Sequence, residues 1–154
     1  RVRKIQTDPK DHYPRYQEFI MSKLLFHITF NEDWEKAASE GKYTPVEYFS
    51  EGFVFACYQE QLAGIANFLF REYKKLLVLE IDPTLLGCEV REVLSVGGYQ
   101  MVPQIHGPIP VSAVTRTFYF ERENGGLFGD GSYFSGTESA QTDTKIPWYR
   151  KLFS

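Results

Sequence analysis

Residues 24–70, LLFHITFNEDWEKAASEGKYTPVEYFSEGFVFACYQEQLAGIANFLF, decide how this chain folds. Leu24 to Phe30 is a short run of apolar and β-prone residues, the pattern of a buried strand. Asn31 follows as the expected N-cap, and Glu32 and Asp33 sit where the positive end of a helix favours acids. The helix so begun sets Trp34, Ala37 and Ala38 on one side and Glu35, Lys36 and Glu40 on the other, and Gly41 supplies its left-handed stop. After the Gly41 to Pro45 turn, Gly52 to Cys57 is almost continuously apolar, which predicts a second strand covered on both faces. From Gln59 onward, Leu62, Ile65, Ala66, Leu69 and Phe70 recur at the helical period and form one apolar stripe. Gln61 and Asn67 fall off that stripe and are expected on its exposed side. The unit is strand, helix, strand, helix, with a lone His27 on the first strand beside the start of the second, and that arrangement makes a pocket.

Beyond this stretch the pattern is mainly that of strands. Lys75 to Ile81 reads as a central strand closed by an Asp82-Pro83 turn. From Glu89, charges at alternate positions mark a half-exposed strand to Leu94. Val102 to His106 is short and apolar, Gly107-Pro108-Ile109-Pro110 is a rigid extended turn, and Arg116 to Glu121 is a late strand. Asn124-Gly125-Gly126 and Gly129-Asp130-Gly131 carry turn chemistry around Leu127 and Phe128. The expected organisation is a polar N-terminal extension over 1–20, with a short helix after Pro14, and a single α+β domain over 21–134. A flexible loop and aromatic tail over 135–154 follow, in which Trp148, Tyr149 and Phe153 are placed to dock a protein partner.

Composition limits the function classes. At 154 residues, 43% hydrophobic and 16% aromatic, the chain supports one core. A formal net charge of -3 argues against a broad nucleic-acid footprint. Two cysteines, Cys57 and Cys88, are too few for a disulfide framework and point to a reducing, cytoplasmic setting. No run approaches the length of a membrane-spanning helix.

Several side chains carry chemistry. His27 and Thr29 are two apart on a strand and so share a face, which suits hydrogen bonds to a ligand's ribose or phosphate; a core histidine satisfied by a backbone carbonyl is the competing reading. His106 precedes Gly107-Pro108, where the glycine permits close approach of a backbone or ligand. Arg91 and Glu92 are adjacent and point to opposite faces, so one of them can face a pocket. Nothing beside Cys57 lowers its pKa, which argues against thiol catalysis. The glycine-rich pieces match neither a dinucleotide fingerprint nor a phosphate loop, no cysteine or histidine pair has zinc spacing, and there is no Gly-x-Ser-x-Gly elbow.

Taken together, Phe26-His27-Ile28-Thr29, Trp34, Ala37, Gly41, Tyr43, Glu51-Gly52-Phe53-Val54, Glu60-Gln61, Ala66-Asn67, Leu79-Glu80-Ile81-Asp82, Val90-Arg91 and Ile105-His106-Gly107-Pro108-Ile109 resemble a family of small, mostly bacterial proteins. That family is catalogued as domain of unknown function nine hundred and fifty-two, and the likeness runs from about Leu24 to Val114. It departs from the family's pattern at Phe55, where a histidine is usual, and at Gln104 and His106, where a histidine and a tyrosine are usual.

The resemblance implies a mixed α+β domain with a split β-sheet and flanking helices, similar to the ADP-ribosyltransferases, which grip NAD in a cleft. His27 looks like the first-strand histidine that contacts ribose there. On that reading His27, Thr29, Gly52, Phe53, Arg91 and His106 bind NAD or a similar nucleotide, with Gly52 and Phe53 as pocket walls and Arg91 on phosphate. His27 and Glu92 are the candidate catalytic residues for transfer of ADP-ribose, Glu92 being the carboxylate that a developing oxocarbenium centre needs. The alternative is a non-catalytic binding or interaction module on the same fold.

Overall fold

The computed structural model describes residues 18–95, 100–122 and 126–129. The residues expected to form most of the N-terminal extension and the aromatic tail, with Trp148, Tyr149 and Phe153, lie outside the described residues.

The chain is a mixed α+β protein built on several antiparallel sheets. After a helical turn over 18–21, strand β1 (Leu25–Thr29) leads to helix α1 (Asn31–Glu40), the short strand β2 (Lys42–Tyr43) and helix α2 (Val46–Glu51). Strand β3 (Val54–Phe55), helix α3 (Gln59–Leu69) and strand β4 (Lys75–Ile81) follow. The chain continues as β5 (Val90–Leu94), β6 (Met101–Ile105), β7 (Ile109–Pro110) and β8 (Val114–Glu121).

Strand β4 is central, between β1 and β8, both antiparallel to it, with Phe26 opposite Glu80 and Val78 opposite Phe118. A second three-stranded sheet runs β3-β6-β5, and β2 pairs with β7. The two larger sheets meet at a single bridge, where Phe26 and Cys57 exchange both backbone hydrogen bonds at 2.8 Å.

Both faces of the first sheet are covered, which is why Leu76 to Leu79 of β4 is apolar without alternation and β1 is buried along its whole length. Phe26, Ile28, Leu76 and Val78 pack with Leu62, Ile65, Ala66 and Leu69 of α3 in one core. Leu25, Leu77, Leu79 and Ile81 join Ala37, Tyr43, Val54, Val90, Ile105 and Ile109 in the other, and Ile20, just ahead of the expected domain start, is buried there too. Each of the leucine, isoleucine, valine and phenylalanine side chains contributes roughly 1.5–3 kcal/mol on burial.

Local chemistry sets the ends of the elements. Gly41 ends α1 at φ 82°, and its N–H donates to Ala37 O at 2.9 Å. Asn31 is not the cap: Phe30 holds that position in an extended conformation, while Asn31 is the first helical residue and its Oδ1 accepts from the Tyr119 hydroxyl at 3.0 Å. Trp34 and Ala37 face inward as expected, whereas Ala38 is exposed. The second strand is shorter than its apolar run. Gly52 lies outside it, as the left-handed stop of α2 at φ 81°, and pairing is confined to Val54, Phe55 and the bridge at Cys57.

Helix α3 corrects the expectation for its two amides, since Gln61 and Asn67 are both buried. Gln61 Oε1 accepts from Tyr58 N–H at 3.0 Å and its Nε2 donates to Met101 O at 2.8 Å. Asn67 donates to Phe128 O at 3.0 Å and accepts from Phe128 N–H at 2.6 Å, tying a segment sixty-one residues away to the core. An amide beside an apolar stripe thus satisfies backbone groups from segments distant in sequence. Gly107 sits where a Cβ would meet the Cys88 Cβ at 2.8 Å, a close approach only glycine permits.

Candidate functional site

His27 lies on the face of β1 opposite Phe26 and Ile28, directed across the gap between the two larger sheets. Its Nδ1 is 2.5 Å from the carbonyl oxygen of Phe55 on β3, and a carbonyl only accepts, so Nδ1 carries the proton. Nε2 is then the acceptor in the neutral ring and receives the Tyr43 hydroxyl at 3.0 Å. Tyr43 in turn accepts from Thr29 Oγ1–H at 2.8 Å, so hydrogen bonds run in one direction from Thr29 through Tyr43 and His27 to the β3 backbone. All three side chains are buried.

The inward turn of α2 brings a fourth polar group to this chain. Glu47 is only 3% exposed, its Oε1 has no hydrogen-bond partner among the described residues, and it lies 4.0 Å from His27 Nε2. Burial pushes the Glu47 carboxyl up to about 7, helped by the Asp33 charge, although a backbone hydrogen bond pulls the other way. Burial also lowers His27 to about 4 against its bond to Phe55, and raises Tyr43 well above the usual phenol range. The pair is therefore not a salt bridge at neutral pH. The imidazole is uncharged, and the carboxyl, at about 7, exchanges its proton with solvent instead of passing it to the ring, because two desolvated charges cost more than their attraction returns.

Above this polar floor is a cleft of about 400 Å³ lined by the end of β1, by α1, by β2 and by α2. Thr29, Tyr43 and Glu47 form its base, and Asp33, Lys36, Glu40 and Lys42 supply charge around it. Helix α2 is inverted relative to its hydropathy: Glu47 points in, while Val46 and Phe49 at the cleft edge are 73% and 77% exposed.

Of the residues singled out from the sequence, the structure brings only Thr29 into the cleft lining, with His27 just beneath it. A second group gathers around β5 and β6. Phe53 stacks against His106 with ring centres 5.6 Å apart, His106 Nε2 lies 3.2 Å from Gln104 Oε1, and Gln104 is opposite both Phe55 and Arg91. Partial burial, then the Arg91 charge, hold His106 below the usual imidazole range. Arg91 itself donates to both oxygens of Glu89, at 2.8 and 2.9 Å, on the exposed side of β5. Glu92, on the other side of that strand, accepts from the Tyr58 hydroxyl at 2.5 Å, and Gly52 is exposed at the end of α2. Tyr43 and Glu47 were not legible as site residues. Between Val46 and Phe49, a glutamate reads as the solvent side of a helix, and nothing in the local pattern signals the reverse.

Among the described residues no group of three or more histidine, cysteine, aspartate or glutamate side chains is placed to hold a metal ion, and no helix is long and apolar enough to cross a membrane. Cys57 and Cys88 are free thiols, and burial raises Cys57 far above its usual range.

A family model described as "Protein of unknown function (DUF952)" matches residues 28–117, more than half of the chain, and the chain belongs to that family. It is similar to the X-ray crystal structure of protein CC0527 from Caulobacter crescentus, a Northeast Structural Genomics Consortium target. That match has a TM-score of 0.61 and 25% identity, and covers 69% of this chain and 93% of that one. The solution NMR structure of CC0527 matches with a TM-score of 0.54 at 23% identity, covering 68% and 90%, and shows a shared fold. No curated protein matches the chain.

Proposed function

We propose, with membership of this family as the premise, that the chain binds a nucleotide-like ligand of the NAD or ADP-ribose kind in the cleft between β1, β2, α1 and α2. The fold on this reading is ADP-ribosyltransferase-like. The observation that carries the proposal is the base of the cleft, where Thr29, Tyr43, His27 and Glu47 form a buried polar array beneath a space of about 400 Å³. Such arrays are costly to bury and recur where a ligand's polar groups are recognised. Three further features support it. The imidazole of His27 spans the gap between the two sheets; Lys36 and Lys42 offer cations to a diphosphate; and the exposed ring of Phe49 offers a face to a planar base.

In this reading His27 holds Tyr43 in place instead of touching the ligand, because both of its ring nitrogens are engaged. Transfer of ADP-ribose would break the bond from ribose C1 to nicotinamide and develop positive charge on the sugar, which a carboxylate stabilises. Glu47 is the buried carboxylate of the cleft, whereas Glu92 lies against Tyr58 and outside the cleft lining. Binding without transfer is the second reading, and the full engagement of His27 favours it.

A thermal-shift titration with NAD, ADP-ribose and nicotinamide tests the proposal. At about 100 times its dissociation constant a ligand stabilises the folded state by roughly 2.7 kcal/mol. Phe49→Ala removes an exposed ring, so the variant is expected to fold as the parent does and to lose most of the NAD shift. Absence of a shift with all three compounds refutes the proposal, and release of nicotinamide by the parent protein distinguishes transfer from binding alone.

A further inference from the structure

We propose that Glu47 is the ligand-facing acid of this cleft, accepting a hydrogen bond from a sugar hydroxyl as a carboxylate and releasing its proton to solvent when the ligand binds. This rests on the nucleotide reading above and says which atom receives the sugar. The geometry is that of an incomplete site. Glu47 is almost fully buried, it lines the cleft, and its Oε1 lacks a partner among the described residues. A buried oxygen left without a donor costs free energy, and the described residues supply none: His27 Nε2, 4.0 Å away, is already an acceptor for Tyr43. Thr29 Oγ1 donates to Tyr43 and retains only acceptor capacity. The base of the cleft therefore presents acceptors, and the complementary ligand group is a donor such as the hydroxyls of a ribose.

The cover over Glu47 is slight. Helix α2 spans only Val46–Glu51, its outward side chains Val46 and Phe49 are exposed, and Glu47 itself lines the cleft. His27 of β1 lies 4.0 Å from Glu47 Oε1, Asp33 of α1 acts on it through its charge, and the other titratable groups that line the cleft with it are Tyr43 and Lys42 of β2 and Lys36 and Glu40 of α1. His27 and Tyr43 are uncharged at neutral pH, since burial lowers the imidazole to about 4 and raises the phenol. Glu47, at about 7, is the member of this set placed to change charge near neutrality. A ligand that binds only its ionised form must displace the proton below that pH.

Isothermal titration of the full chain with ADP-ribose, which has no group of its own titrating near neutral pH, tests this. If the ligand needs ionised Glu47, the apparent Kd is about tenfold weaker at about pH 6 than at about pH 8, and about one proton is released per ligand bound near pH 6. Glu47→Gln keeps the shape but not the charge, so it is expected to bind about tenfold more weakly at about pH 8 and to lose the pH dependence. Binding by the parent that is flat across this range, or a pH profile that survives in Glu47→Gln, overturns the assignment while leaving the nucleotide reading intact. No binding at any pH refutes that reading and the assignment with it.

Discussion

Replacing Glu47 by glutamine is expected to stabilise the protein at neutral pH and to leave its stability nearly unchanged in mild acid. The side chain is buried and its carboxyl is displaced from 4.5 to about 7, so ionising it in the folded state costs about 3 kcal/mol at about 1.4 kcal/mol per pH unit. The sign follows from proton counting. Below 4.5 the carboxyl is protonated in both folded and unfolded chains, and its contribution is fully present. As pH rises from there to about 7, only the unfolded chain ionises, and stability is lost progressively until both forms are ionised.

His27 works in the opposite sense. Its folded pKa is depressed from 6.5 to about 4, so its contribution is present above 6.5 and lost as pH falls through about 4. Between about pH 4.5 and pH 6.5 the folded chain holds a proton on Glu47 that the unfolded chain lacks, and lacks one on His27 that the unfolded chain holds. These two slopes cancel, and the pair together contributes no pH dependence there. Glu47→Gln removes one slope and leaves the other, so the variant gains more stability with rising pH than the parent does. Urea unfolding followed by tryptophan fluorescence from about pH 4.5 to about pH 8 measures both curves. The difference should grow from near zero to about 3 kcal/mol. A difference that stays constant with pH would refute the placement of the proton on Glu47.

Two further outcomes follow from the packing. Asn67→Leu should destabilise by about 2–4 kcal/mol, because the N–H and carbonyl of buried Phe128 lose their amide partner together; urea midpoints measure this, and a neutral result would show that the 126–129 segment is not held by this residue. Gly107→Ala should cost about 1–3 kcal/mol, since the new Cβ would lie 2.8 Å from the Cys88 Cβ, and Cys88→Gly in the same chain should restore most of the loss; the double variant is the measurement that separates crowding from any backbone effect.

Much of the fold was legible because it depends on near-neighbour pattern. The helical stripe from Leu62 to Phe70, the Gly41 stop, the central strand over Lys75 to Ile81 and the half-exposed strand beyond Glu89 all follow from periodicity and turn chemistry, and the structure has each of them. Three of the failures share a cause. Asn31, Gln61 and Asn67 are short polar side chains whose local pattern predicts a cap or a solvated face, and each is instead committed to a distant partner: Tyr119, Met101 and Phe128.

By itself the sequence determined a mixed α+β chain with His27 on a buried strand and Thr29 beside it. Only the tertiary structure decided what surrounds them. The bond from His27 to Phe55 exists because two sheets part after the Phe26–Cys57 bridge, and Glu47 is a site residue because α2 packs with Val46 and Phe49 outward. Hydropathy along a chain records which residues can be buried cheaply. A buried carboxyl beside a neutral imidazole is costly, so no local pattern encodes it; it is held there by the burial of the rest of the core.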